Sequence, residues 1–111
     1  MVETCTIQLL VDDPSVLAAL RFSLSIEGFR LGDSTPEAFV IDERYGGDGV
    51  KILEEMRAHG DNALAIVIAT HPSRQLRNRI ASCDAVLVEK PLMGDEISRT
   101  LTAICNPLKV A

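Results

Sequence analysis

Four short apolar runs along this chain each give way to a polar side chain. Residues 7–11 run into Asp12-Asp13, residues 38–41 into Asp42, and residues 65–69 into Thr70. Residues 85–88 lead through Glu89 into Lys90-Pro91. Near-continuous Val, Ile, Leu and Ala over four or five positions predicts strands covered on both faces. The stretches between them carry helical spacing. Asp13-Pro14-Ser15 opens the first helix, with Asp13 as N-cap and Pro14 in the first turn. Leu17, Leu20 and Leu24 continue it until Gly28 stops it. Residues 29–31 form a short second strand. Beyond Asp42, a turn at Gly46-Gly47-Asp48-Gly49 precedes a helix with Ile52, Leu53 and Met56 on one face, ending near Gly60. His71-Pro72-Ser73 leads into a helix with Leu76 and Ile80 inward. Asp95 is the expected cap of a last helix carrying Ile97, Leu101 and Ile104.

Strands alternating with helices predict one α/β domain over residues 1–111: a doubly wound, five-stranded parallel sheet with helices on both faces. The order 2-1-3-4-5 sets the first, third, fourth and fifth strands side by side. Ligands of such sheets collect beyond the carboxyl ends of the strands, where the polar terminators stand. One segment strains this plan. Only residues 32–37 separate the second and third strands, whereas a parallel crossover normally takes a dozen or more residues. Six residues span at most about 20 Å. A full second helix cannot fit: it is shortened or missing and its strand frayed, or a mobile stretch is absent from the chain here.

Composition narrows the partners. Hydrophobic residues make up 47% of the 111, enough for a folded core. Against 11 basic side chains stand 16 acidic ones, a net charge of −5. That balance argues against direct nucleic-acid binding, which needs a positive footprint. No run is long and apolar enough to span a membrane, and the Met1 end lacks a signal-peptide pattern. Cys5, Cys83 and Cys105 are odd in number and widely spaced, unlike a zinc site; buried thiols in a reducing cytoplasm are the expectation.

The strand ends carry the chemistry. Asp12, Asp13 and Asp42 supply the hard oxygen donors that Mg²⁺ prefers, and one or two carboxylates suffice for it. A carboxylate also serves as a nucleophile toward phosphorus. Lys90 would neutralise phosphoryl oxygens beside the ion, and the Thr70 hydroxyl would donate to a third. Singly, Asp13 is a helix cap, Thr70 a strand residue and Lys90 a loop charge. The joint pattern at successive strand ends is what singles them out.

Val11-Asp12-Asp13-Pro14, Val40-Ile41-Asp42 with Asp48-Gly49, Ile68-Ala69-Thr70 and Glu89-Lys90-Pro91-Leu92 together make the chain similar to the CheY-like receiver domain of two-component response regulators. The resemblance covers the whole chain. It implies a flavodoxin/CheY-like fold and a cytoplasmic phosphorelay protein that is not a turnover enzyme. It further implies Asp42 as phosphoacceptor from a histidine kinase or histidine phosphotransfer protein, Thr70 as switch hydroxyl and Lys90 as the contact to the acceptor and its phosphoryl group. Mg²⁺ is then held by Asp12, Asp13, Asp42 and the backbone carbonyl of Arg44. Output is expected through a downstream protein on the fourth helix–fifth strand–fifth helix face, counting the missing helix, because no residues remain for a DNA-binding unit. Arg74, Arg77 and Arg79 form a candidate partner strip there, or a solvated face.

The chain departs from that pattern in four places. The stretch between Asp42 and Asp48-Gly49 is one residue short and lacks a Pro. Leu87 replaces the usual aromatic three residues before the lysine, and His71 follows Thr70 where a small residue is usual. The second helix is the fourth departure. Two other readings share these residues. A haloacid-dehalogenase-like phosphohydrolase would carry a second Asp where Arg44 stands. A pseudo-receiver would bind partners without phosphorylation.

Overall fold

The computed structural model describes residues 5–32, 35–90 and 96–105. Five strands form one parallel sheet in the order β2-β1-β3-β4-β5. In chain order the elements are β1 (Thr6–Leu10), α1 (Pro14–Ile26), β2 (Arg30–Leu31), β3 (Ala38–Asp42), α2 (Gly49–Ala58), β4 (Leu64–Ala69), α3 (Arg74–Ser82), β5 (Val86–Glu89) and α4 (Glu96–Cys105). This is the expected doubly wound arrangement.

Alternation along the strands feeds two cores. Val40, Ile66 and Ile68 pack on one face with Leu20 and Leu24 of α1 and Ile97 and Leu101 of α4. Phe39, Ile41, Ala65 and Val67 pack on the other with Val50 and Leu53 of α2 and Ile80 of α3. Every residue of β3 is buried, as a strand covered on both sides requires. The expected cap of the last helix, Asp95, lies outside the described residues, as does Pro91.

The helix boundaries follow local chemistry. Asp13 caps α1 and Pro14 stands in its first turn, where a missing N–H costs nothing. Gly28, at φ +95°, ends that helix, and the Phe29 N–H reaches back to the Leu24 carbonyl at 3.0 Å. Ser73 caps α3 by accepting the Leu76 N–H at 3.1 Å. His71 lies outside that helix, in a left-handed turn at φ +47°.

The register explains how six residues join β2 to β3. Leu31, the last residue of β2, pairs with Ile7, and so does Ala38, the first residue of β3. The chain leaves one strand and enters the other at the same level. It has only to pass β1, about 10 Å sideways, with no return along the sheet. Among the described residues no helix lies between the two strands. In consequence β2 pairs with Thr6 and Ile7 alone, and β1 stays half-buried where β3 is fully covered.

Candidate functional site

The carboxyl ends of β1, β3 and β5 enclose a hollow of about 240 Å³ lined by Asp12, Asp13, Asp42, Arg44, Tyr45 and Lys90. Asp42 is the last residue of β3 and is buried, 5% exposed. Its Oδ2 accepts from Lys90 Nζ at 2.7 Å, across 48 residues of sequence. Its Oδ1 accepts the Arg44 N–H at 2.9 Å. Lys90 reaches over β4 to make this pair, and its own N–H donates to the Ala69 carbonyl at 2.8 Å, which fixes the end of β5 beside β4. Withdrawn from water, the pair interacts more strongly than a surface one.

The acidic pair after β1 is held by two different devices. Asp13 Oδ1 accepts the Ser15 and Val16 N–H groups at 2.9 and 3.3 Å, so this carboxylate doubles as the α1 cap. Asp12 Oδ2 accepts the Gly46 N–H at 3.1 Å. Gly46 belongs to a 3₁₀ turn, Tyr45–Gly47. Its φ of +61° suits glycine, as does the +96° of Gly47, and the Gly47 N–H closes the turn on the Arg44 carbonyl at 2.9 Å.

Thr70 follows β4 on the same edge, exposed, and is not among the residues lining the hollow. Its N–H donates to Glu43 Oε1 at 3.4 Å. Glu43, Tyr45 and Gly46 are the contributors that sequence reasoning did not single out. For Gly49 the signal was present in the Asp48-Gly49 pair. Asp48 caps α2 by accepting the Lys51 N–H at 3.1 Å, and the Gly49 N–H donates to the Glu43 carbonyl at 2.7 Å. A Cβ on Gly49 would collide with the Asp42 carbonyl oxygen and lie 2.8 Å from Ile41 Cγ2. Only glycine lets α2 begin directly beneath the Asp42 backbone.

The donor set consists of carboxylate and carbonyl oxygens, which suits a hard divalent cation. Among the described residues no three His, Cys, Asp or Glu side chains stand close enough to hold an ion by themselves. Mg²⁺ takes oxygen ligands of this kind and keeps several of its waters.

Two of the three arginines of α3 are held in ion pairs. Arg77 pairs with Glu89 at 2.8 Å, and Arg79 pairs with Glu54 at 2.8 Å and Asp48 at 3.2 Å. Hydrogen bonds to Glu54 raise the Arg79 pKa, and Arg79 in turn holds the Glu54 carboxyl below its usual value. All three cysteines are free thiols, with Cys5 and Cys83 buried and Cys105 half-buried. Burial pushes the Cys83 and Cys105 pKa values up. No helix among the described residues is long and apolar enough to cross a membrane.

No protein-family model matches the chain, and no curated protein matches it. Solved structures do. A CheY-like response regulator receiver domain protein from Methanospirillum hungatei superposes with a TM-score of 0.86 at 13% identity, covering 97% of this chain and 98% of its own. The signal receiver domain of a Luxo repressor protein from Vibrio parahaemolyticus gives 0.85 at 15% identity, covering 97% and 95%. A Francisella response regulator receiver domain gives 0.83 at 15% identity, covering 91% and 96%. The chain has the CheY-like receiver-domain fold.

Proposed function

We propose that this chain is a phosphoacceptor of a two-component phosphorelay, taking a phosphoryl group on Asp42. The observation that carries the reading is the Asp42–Lys90 pair, set in an acidic hollow at the carboxyl edge of a receiver-type sheet. Lys90 neutralises Oδ2. Oδ1, which accepts one backbone N–H, is then the oxygen that attacks phosphorus. The P–N bond of a donor phosphohistidine breaks as the P–O bond of an aspartyl phosphate forms, and the imidazole leaves with the bonding pair. Transfer of this kind asks the protein for alignment and charge neutralisation more than for covalent help.

Asp13, Asp42 and the Arg44 carbonyl would hold Mg²⁺, with Asp12 beside them. When bound, the ion supplies charge neutralisation to the incoming phosphoryl oxygens. Lys90, freed from Oδ2 as the acyl phosphate forms, follows the new negative charge. The Thr70 hydroxyl moves in from the β4 edge, and the end of β5 and α3 shift with them. Output then passes to a downstream protein on the α3–β5–α4 face. There Arg77 is bound to Glu89, the residue preceding Lys90, so a displaced Lys90 pulls on this ion pair. The donor is a histidine kinase or phosphotransfer protein, and the chain turns over no external substrate.

The test uses a small phosphodonor with Mg²⁺, followed by intact mass and peptide mapping. One phosphoryl group on Asp42 is expected, and none on Asp42→Asn. Persistent labelling of that variant removes Asp42 from the role, and continuous release of phosphate from an ester makes the chain a hydrolase instead.

A further inference from the structure

The two acidic residues after β1 differ in what they hold. Asp13 spends Oδ1 inside its own helix, two and three residues away. Asp12 reaches 34 residues along the chain, to the Gly46 N–H on the opposite side of the hollow. That bond ties the loop after β1 to the loop after β3. It lands on the turn that bends the acceptor loop, and the same turn closes through Gly47 on the Arg44 carbonyl. Arg44 is thereby fastened twice. Its N–H is tied to Asp42 Oδ1, and its carbonyl is tied to a turn anchored on Asp12.

We propose that Asp12 is a positioning residue, fastening the acceptor loop across the hollow through the Gly46 N–H and so setting where the Arg44 carbonyl stands. This rests on the phosphoacceptor reading and divides its acidic pair: Asp13 serves the ion, whereas Asp12 serves the loop. The make-up of the loop gives the physical reason. With two left-handed glycines and no proline between Asp42 and Asp48, it has little stiffness of its own, and an external acceptor supplies what it lacks. What Asp12 contributes is therefore an oxygen at the right place more than a full negative charge.

The distinction is measurable because asparagine retains the oxygen and loses the charge. In metal-free protein the Gly46 amide is expected to exchange slowly for an exposed turn. Asp12→Ala should speed that exchange by about tenfold, the equivalent of one hydrogen bond, while Asp12→Asn keeps most of the protection. Mg²⁺ titration should follow the same order, with Asp12→Ala weakened and Asp12→Asn largely rescued. Tyr45 supplies the signal: it lines the hollow and is the only tyrosine in a chain without tryptophan.

Two results overturn the proposal. One is a Gly46 amide unprotected in the unmutated protein, a result that stands even where Asp12→Ala does not fold. The other is Mg²⁺ affinity lost equally in both variants while Gly46 stays protected in Asp12→Asn, which makes Asp12 an ion ligand by charge. Phosphorylation is scored separately by mass. An unmodified Asp42 beside a protected Gly46 removes the phosphoacceptor reading and leaves the anchor standing.

Discussion

At the scale of single residues, the Asp42–Lys90 contact concentrates the electrostatics of the molecule. A carboxylate 8% exposed at its side chain is tolerated because Lys90 and one N–H stand against it. Lys90→Ala removes the cation and leaves the carboxylate buried near Asp12 and Asp13. The expected cost is about 1–3 kcal/mol in urea unfolding, since an uncompensated buried charge is worse than a lost surface pair. Lys90→Arg keeps the charge and should recover much of it.

Which residues could be seen in advance follows from how each one works. Asp12, Asp13, Asp42 and Lys90 act through side-chain chemistry at strand ends, and a strand end is visible as the close of an apolar run. Gly46 acts through a backbone N–H that a turn presents, and Glu43 through a side chain that accepts the Thr70 N–H; no residue type announces either in advance. Thr70 was legible as a hydroxyl on the correct edge; its orientation toward Glu43 through the N–H was not.

At the scale of elements, α2 and α3 are joined by charge as well as by Leu53 and Ile80. Arg79 bridges Glu54 in the middle of α2 and Asp48 at its cap. Three arginines on α3 could be read from the chain, but the carboxylates that claim two of them sit on other elements. Periodicity within one helix cannot reveal its neighbours, so these pairings could not be read from the chain.

This tie predicts a pH response. Arg79 depresses the Glu54 pKa in the folded protein, so the unfolded chain binds the proton more readily. The stabilisation is present above the ordinary carboxyl range and is lost as pH falls through the depressed value. With both side chains more than a third exposed, solvent screening limits it to under about 1 kcal/mol. Thermal unfolding of Glu54→Gln should match the parent in acid and fall slightly below it at neutral pH. A constant gap across that range would show that the effect is packing rather than charge.

At the scale of the whole molecule, the order of the sheet was readable because continuous apolar strands alternating with helices leave few arrangements. The join between β2 and β3 was not, because it depends on register. The sequence contains six residues between two strands, and only the shared partner Ile7 shows that they need not double back. The truncation of β2 is the counterpart of the absent helix.

Stability should be distributed accordingly. β3 and β4 are buried and paired on both sides, whereas β2 pairs through two residues at the margin. Native-state hydrogen exchange should rank the amides of Arg30 and Gly32 among the fastest of the bonded sheet positions, and those of Val40 and Ile66 among the slowest. Equal protection across the sheet would contradict this picture of one weak side.

The weak side and the acidic hollow do not overlap. Every residue lining the hollow is borne by β1, β3, β5 or the loops that leave them, while β2 contributes none. The sheet can breathe at its outer margin, repeatedly and at little expense, without disturbing the carboxylates. Only when β1, β3 or β5 loosens do the residues of the hollow lose their footing.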